Sequence, residues 1–297
     1  MQIYLDCIPC IVHQVLTSVR LVTNDVQVHE QMVREVLTLL GDMDMRQSPP
    51  AIAQKIHRLI GQLTGEYDPY KEKKQQFNEL SLRIYPELKR RIRASGSPLE
   101  TAVRLAIAGN IIDFGVNRSL EEPDLEETIN DSLTSDFDKT HLRSFKDAVI
   151  RAKDILYLGD NAGEVVFDRL LIELLPWEKI TFVVKGRPVI NDATIEDAEM
   201  AGLTDIVNVI ENGSDAPGTI LESCSHCFRN QFAGADLVIA KGQGNYETLS
   251  AVDKNIFFIL KAKCPVIAED LDCKVGEMIL RKSESFNDIV DLVKEVK

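Results

Sequence analysis

Hydrophobic positions divide the chain into two parts with different periodicity. Over the first 150 residues, apolar side chains recur at helical spacing, as in residues 10–22 and 28–40. Ser97, Pro98 and Glu100 predict the start of another helix, because they suit the N-cap, the first and the third helical positions. That helix is apolar on nearly every face, so we expect it to be buried. The pattern predicts a mainly helical region over residues 1–150.

After about residue 150, short apolar runs alternate with helical stretches. Runs bounded by turn residues are typical of buried strands. Six such runs lie at residues 155–158, 180–184, 206–210, 237–240, 257–260 and 265–268. Strands and helices in alternation predict a parallel sheet covered by helices on both faces. Residues 151–297 are therefore expected to form an α/β region with a mostly parallel sheet.

Polar loops follow four of the predicted strands. The first reads Gly-Asp-Asn-Ala-Gly-Glu at 159–164, and the others begin at Lys185, Glu211 and Lys241. Each loop alone could be an ordinary turn or a helix cap. Parallel strands bring all four loops to one edge of the sheet, where open α/β sheets bind ligands. Four polar loops at that edge favour a ligand site over ordinary turns.

Hard oxygen donors in these loops indicate a divalent cation. Asp160, Asn161 and Asp192 offer the carboxylate and amide oxygens that suit Mg²⁺ or Mn²⁺. Only two of the three are anionic, so they balance a divalent ion without the excess negative charge that would repel phosphate. The turn that carries Gly163 also opens a helix, whose first N–H groups favour an anion. We therefore group Gly163 with the substrate-binding residues.

The other loops supply candidates for the phosphate side of the site. Lys241 would add a second cation, and Gly242 allows the backbone to approach a ligand closely. Arg187 is a weaker candidate, since it could equally form a surface ion pair. Ser214 could line the pocket or simply make the turn, and the turn is slightly favoured.

Two polar residues interrupt the apolar helix of the first half. Asn110 and Asp113 are three positions apart and share a face of that helix. Unpaired polar groups are costly on a buried helix. They could cap a neighbouring loop or point into the cleft, and we favour the cleft.

Charge and targeting features narrow the function classes. The formal net charge of −13 argues against broad nucleic-acid binding. No signal peptide or membrane-length apolar run is evident, so the expected location is the cytoplasm and no membrane partner is expected. The apolar helices of the first half could form a dimer interface or a cap over the cleft.

The six cysteines include two Cys-x-x-Cys pairs, at 7–10 and 224–227. Such pairs can form a four-thiolate zinc site. More than two hundred residues separate them, however, and nothing in the sequence forces them together. Buried ordinary thiols are the favoured interpretation.

Taken together, the motifs resemble the metal-dependent damage-control phosphatase family, also known as domain of unknown function 89. The resemblance rests on Gly-Asp-Asn-x-Gly-Glu at 159–164, Asn-Asp-x-Thr at 191–194, Lys-Gly-x-x-Asn at 241–245 and Ala-Gly-Asn-x-x-Asp at 108–113. The Cys-Ile-Pro-Cys segment at 7–10 resembles the stand-alone archaeal and bacterial branch.

The resemblance implies a fold and a chemistry. The fold would be a helical N-terminal region packed on a Rossmann-like three-layer α/β/α core. Asp160, Asn161 and Asp192 would hold a divalent metal, such as Mn, Mg, Co or Ni. The reaction would be hydrolysis of small phosphorylated metabolites, such as sugar phosphates or phosphopantetheine-like compounds.

The resemblance also implies roles around the phosphate. Lys241 and Asn245 would contact it, with Asn110 and Asp113 nearby. Asp192 or Glu164 would orient or deprotonate the attacking water. A covalent aspartyl-phosphate is less favoured, because no Asp-x-Asp pair stands at 160–162.

Two other functions stay open. A related branch of the family has been described as an S-adenosylmethionine-dependent carboxyl methyltransferase, but the first strand ends in Asp-Asn rather than in a glycine-rich loop. A non-enzymatic metal- or metabolite-binding module would also use polar strand ends. Metal-dependent phosphate release would distinguish a phosphatase from both.

Overall fold

The computed structural model describes residues 1–109 and 122–284. Seven helices precede the first strand in these residues. They are α1 (Cys7–Val22), α2 (Val26–Gly41), α3 (Pro49–Thr64), α4 (Lys71–Ala94), α5 (Pro98–Gly109), α6 (Glu122–Thr134) and α7 (Leu142–Arg151). None of the described helices is long and apolar enough to cross a membrane.

Local sequence explains where several of these helices begin and end. The Asp25 carboxylate accepts a hydrogen bond from the Gln27 N–H at 2.8 Å and caps α2. Proline occupies the first turn of α3, where its missing N–H costs nothing, and Gly65 ends that helix at a φ of 76°. The apolar faces of α1, α2 and α3 pack together in a core of their own.

The second half forms a six-stranded sheet in the order β3-β2-β1-β4-β5-β6. The strands are β1 (Ile155–Leu158), β2 (Ile180–Val184), β3 (Asn208–Glu211), β4 (Leu237–Lys241), β5 (Ile256–Lys261) and β6 (Met278–Lys282). The first five are parallel, and β6 pairs antiparallel with β5. The remaining α-helices of the described residues are α8 (Glu164–Ile172), α9 (Ile195–Met200), α10 (His226–Gly234), α11 (Gly242–Leu249) and α12 (Pro265–Asp270).

Both faces of the sheet are buried by helices. Side chains of β1 alternate, so Tyr157 joins a core with α4, α5 and α8, while Leu158 joins a second core with α10 and α12. Helix α5 is buried along most of its length, as its pattern predicts. It approaches α8 so closely that a Cβ on Gly109 would lie 3.0 Å from Phe167.

The predicted fold class is confirmed, with two differences at the end of the sheet. The strand predicted at 265–268 is wrong, because these residues begin α12. A short apolar run does not distinguish a strand from a buried helix, and Pro265 suits a first helical turn. The edge strand β6 was not predicted. The division at residue 150 stays a prediction.

The order of the strands in the sheet determines where the polar loops lie. The chain moves outward from β1 to β2 and β3, and then returns to the other side of β1 as β4. Such a reversal opens a crevice beyond the carboxyl ends of the strands. The loops after β1 and β4 border this crevice.

Candidate active site

The loops after β1 and β2 are joined by backbone hydrogen bonds. The Ala193 N–H donates to the Asp160 carbonyl at 2.8 Å, and the Ala162 N–H donates to the Asn191 carbonyl at 2.8 Å. Asn161 and Asp192 form an isolated antiparallel bridge. The fold therefore brings together Asp160, Asn161 and Asp192, the three predicted metal ligands.

Side-chain contacts orient the Asn161 amide. Its Nδ2 donates to Asp160 Oδ2 at 2.9 Å and to Glu164 Oε2 at 3.0 Å. No hydrogen bond from the described residues reaches its Oδ1. The amide thus presents its oxygen as a potential ligand, while its nitrogen ties two carboxylates to it.

Negative charge is concentrated and buried at this edge. The exposed fractions of Asp160, Glu164 and Asp192 are 8%, 0% and 3%. Burial and the charges of Glu164 and Asp192 together raise the pKa of Asp160 well above its usual range. A cation placed among these carboxylates would offset their repulsion. The donor set of two carboxylates and an amide therefore fits a hard divalent ion, although the described residues hold no cluster of three or more His, Cys, Asp or Glu suited to a metal.

Gly242 lies directly against Asp160. Its φ of 76° favours glycine, and a Cβ added there would lie 1.8 Å from Asp160 Oδ2. Any side chain at position 242 would displace that carboxylate. The backbone of this glycine was predicted to approach a ligand closely, and in this structure it lies against Asp160.

Lys241 is fully buried in a network of ion pairs. Its Nζ donates to Glu164 Oε1 at 2.5 Å, Asp168 Oδ1 at 2.6 Å and the Ala106 carbonyl at 2.8 Å. Burial alone lowers the pKa of Lys241, but the two carboxylates raise it above its ordinary value. The three ammonium protons are used within the protein, and the predicted contact of Lys241 with phosphate stays a prediction.

Asp168 is a buried member of this network that the sequence analysis missed. The Tyr157 hydroxyl donates to its Oδ1 at 2.7 Å. Burial raises the pKa of Asp168 to about 6, against the opposing charge of Lys241. Glu164 and Asp168 are four positions apart on α8, a spacing that puts both on one helical face. That spacing, in a helix whose other residues apart from Arg169 are apolar, was the available clue.

Two further lysines lie at the site, and neither was predicted. Lys185 Nζ lies 3.2 Å from Asp192 Oδ2 and also donates to the Gly218 carbonyl. The charge of Lys263 acts on Asp160 and lowers its pKa, against the larger effect of burial. Lys185 is the first residue after β2, so its position at a strand end could have indicated it.

Other predicted substrate residues hold the loops together. Ser214 Oγ lies 2.7 Å from Ser223 Oγ. Asn245 accepts from the Thr219 hydroxyl at 2.7 Å and donates to the Lys241 carbonyl at 2.8 Å. The predicted Asn110 and Asp113 lie outside the described residues, so their roles stay predictions.

The family match decides the identity of the chain. The damage-control phosphatase ARMT1-like domain matches residues 3–279, which is most of the 297 residues. The chain belongs to the damage-control phosphatase family.

Individual relatives agree with this assignment. A Pyrococcus horikoshii protein named damage-control phosphatase is 35% identical over 291 residues, covering 96% of this chain and 99% of its own length. An Archaeoglobus fulgidus protein of that name is 35% identical over 284 residues, covering 94% of this chain and 98% of its own length. The crystal structure of a DUF89 family protein from Pyrococcus horikoshii matches with a TM-score of 0.86 and 34% identity, covering 96% of this chain and 100% of that one. The predicted family and the enzyme class, a phosphatase, are confirmed.

In this damage-control phosphatase, Asn78 of α4 connects the helical region to both loops of the site. Its Oδ1 accepts from the Gly163 N–H at 2.6 Å, and its Nδ2 donates to Asp197 Oδ1 at 2.8 Å. Asp197 in turn caps α9 through the Thr194 N–H and hydroxyl. With an exposed fraction of 1%, Asn78 holds the turn after β1 and the start of α9 in place.

We expect Asn78→Ala to lower the free energy of unfolding by about 2–4 kcal/mol, because a buried N–H and a buried carboxylate oxygen each lose a partner. Urea denaturation measures this effect. The exposed Asn24 provides a control, and Asn24→Ala should change the free energy by less than about 0.5 kcal/mol. Equal stability of the two variants would contradict the bridging role of Asn78.

Glu247 of α11 gives the stability of the protein a dependence on pH. Burial raises the pKa of Glu247 to about 7, although Gln243 donates a hydrogen bond to it at 2.8 Å. Between about pH 4.5 and 7 the folded state keeps a proton that the unfolded state has lost, so stability falls as the pH rises. Above about pH 7 the stability that this proton contributes is fully lost.

Glu247→Gln removes this titration. We expect the free energy of unfolding of the variant to rise relative to that of wild type as the pH rises from 4.5 to 8. The rise should reach up to roughly 3 kcal/mol, at about 1.4 kcal/mol per pKa unit. Urea denaturation at both pH values measures the difference. The exposed Glu211→Gln serves as control and should show no such gain. A pH-independent difference between Glu247→Gln and wild type would contradict the prediction.

Proposed function

We propose that this protein hydrolyses small phosphorylated metabolites, such as sugar phosphates or phosphopantetheine-like compounds, with a divalent metal held by Asp160, Asn161 and Asp192. The observation that carries the proposal is the convergence of two buried aspartates and an oriented amide oxygen at the β1–β2 edge. Mn²⁺, Mg²⁺, Co²⁺ and Ni²⁺ are the candidate ions. The names of the relatives support phosphate-ester hydrolysis.

A divalent ion bound there would polarise the phosphoryl group and lower the pKa of the attacking water. The chain's own residues bind and orient the substrate. Lys185 places a positive charge beside Asp192, where it would attract the phosphate and offset charge in the transition state. The first N–H groups of α11, which begins at Gly242, are further donors for an anion.

The arrangement favours Asp192 over Glu164 as the residue that orients or deprotonates the water. Both Glu164 oxygens are engaged, one by Lys241 and the other by Asn161, and the side chain is fully buried. We assign Glu164 and Lys241 the role of positioning residues: Lys241 neutralises Glu164, and Glu164 holds the Asn161 amide.

Phosphate release after metal removal tests the proposal. The full chain is treated with EDTA, and release from p-nitrophenyl phosphate and a sugar-phosphate panel is measured before and after each of the four ions is added back. We expect no release in EDTA and restored release with at least one ion. Release that is unchanged by EDTA would contradict metal dependence. No release with any ion, from folded and metal-loaded protein, would favour a methyltransferase or a binding module.

The small-metabolite partner follows from this proposal. The cytoplasmic location, the absence of nucleic-acid and membrane partners, and the formation of an oligomer stay predictions from the sequence.

A further inference from the structure

A cavity of about 410 Å³ opens between α3 and the loop after β2. We call it the α3 pocket. Apolar walls come from Pro188 and Val189, and polar groups come from His57, Arg58, Arg187 and Asp215. Pockets of a few hundred Å³ with a few convergent polar groups are typical small-molecule sites. This one has room for a sugar or an aromatic ring.

The α3 pocket is lined by the same loop that carries Asp192. Its wall includes Ile190, two positions before Asp192, and the Asp192 N–H donates to the Val189 carbonyl at 3.0 Å. Ile190 has a φ of 46°, a left-handed conformation that is unusual for a β-branched residue. The loop that lines the pocket therefore turns directly into the site. A substrate whose phosphate binds beside Lys185, at a metal held by Asp192, would have its alcohol part near this pocket.

Most charged groups around the pocket are already paired. Arg58 forms two hydrogen bonds of 2.6 Å with Asp215, which also accepts from Gln54. Asp68 pairs with Lys74 at 2.9 Å. Burial lowers the pKa of His57 to about 4, so its ring is neutral near pH 7. None of these groups supplies net positive charge to a ligand.

Arg187 is the exception. Its side chain is exposed at the pocket, and among residues 1–109 and 122–284 the hydrogen bond of Arg187 runs from its backbone N–H to the Ser214 carbonyl, at 3.3 Å. Within the described residues, no carboxylate lies in ion-pair distance of its guanidinium. A guanidinium beside a pocket suits planar, bidentate recognition of a carboxylate or phosphate.

We infer that the α3 pocket binds the alcohol part of the substrate and that Arg187 recognises a second anionic group on it. The substrate class is then a small phosphomonoester that carries a further carboxylate or phosphate. This inference rests on the proposed phosphatase function, because it takes a phosphate bound at the proposed metal site as its point of reference.

The test compares two esters that differ in the second anion. Phenyl phosphate and 4-carboxyphenyl phosphate are assayed with the metal-loaded full chain, and the ratio of their kcat/KM values is taken for each variant. Because every variant meets both esters, their intrinsic reactivities cancel when ratios are compared. We expect Arg187→Gln to lower the preference for the carboxylated ester about tenfold, mainly through KM, which is the low end for a charge-assisted hydrogen bond.

A matched control separates this effect from a general change in surface charge. Arg151 is also exposed but ends α7, beside the amino end of β1 and away from the site. Arg151→Gln should leave the ratio unchanged. An Arg187→Gln ratio equal to that of wild type would overturn the inference.

Binding of non-hydrolysable ligands keeps this test independent of turnover. Calorimetry with benzylphosphonate and 4-carboxybenzylphosphonate should show about tenfold tighter binding of the carboxylated compound, lost in Arg187→Gln. If no ester is hydrolysed but this preference is present, the proposed function fails and the pocket assignment stands. If esters are hydrolysed but neither assay depends on Arg187, the pocket assignment alone fails.

Discussion

Lys241→Met is expected to lower the free energy of unfolding by about 3–5 kcal/mol. The substitution leaves Glu164 and Asp168 buried without the cation that now lies 2.5 and 2.6 Å from their oxygens. Two carboxylates with 0% exposure have no water to replace that contact. Urea denaturation of the full chain measures the loss.

Two further variants make this prediction specific to charge. The exposed Lys153→Met should change the stability by less than about 0.5 kcal/mol. Adding Glu164→Gln and Asp168→Asn to Lys241→Met should recover much of the loss, because no uncompensated charge then remains in this network. A Lys241→Met variant as stable as Lys153→Met would show that the network is not the main stabilising contact there.

Asp160→Asn is expected to reduce metal-dependent phosphate release at least about 10³-fold. The change removes one of two anionic ligands, and metal catalysis contributes several kcal/mol, with each 1.4 kcal/mol worth a factor of ten in rate. The side chain keeps its shape, so it still fits against Gly242. Phosphate release at saturating metal and ester measures the loss.

The stability of metal-free Asp160→Asn should not fall, although its activity does. Without metal, burial and the charges of Glu164 and Asp192 make an ionised Asp160 costly and raise its pKa, whereas a neutral amide avoids this cost. We expect the Tm of metal-free Asp160→Asn to be no lower than that of wild type. Asp147→Asn, on the exposed face of α7, is the control for both assays and should match wild type. Full activity in Asp160→Asn would contradict the site assignment.

Local patterns in the sequence account for much of the fold. The strands at 155–158 and 180–184 lie where they were predicted, since buried parallel strands are short apolar runs between turn residues. The residues at 265–268 show the limit of this reasoning, because four apolar positions suit either a strand or a buried helical turn. The edge strand β6 has two charged residues among its five and forms through pairing with β5, a contact that the sequence does not display.

The residues of the site also fall into those that the sequence predicts and those that it does not. Asp160, Asn161 and Asp192 were predictable, because strand ends in a parallel sheet converge whatever the details of packing. Asn78 was not, since it contacts Gly163 across 85 positions of sequence. Lys241 was assigned to phosphate from its charge and motif, whereas its bonds to Glu164 and Asp168 depend on how α8 packs against β4. Contacts between distant elements are set by tertiary packing, which periodicity does not encode.

Binding of Mn²⁺ to the proposed ligands is the most direct test of the central claim. The full chain, stripped with EDTA, is titrated with Mn²⁺ and followed by electron paramagnetic resonance, and phosphate release is measured on the same samples. We expect phosphate release to rise with occupancy of a tight Mn²⁺ site in wild type, and both to be lost in Asp160→Asn. Phosphate release without bound metal, or tight Mn²⁺ binding unchanged in Asp160→Asn, would contradict a catalytic metal held by Asp160, Asn161 and Asp192.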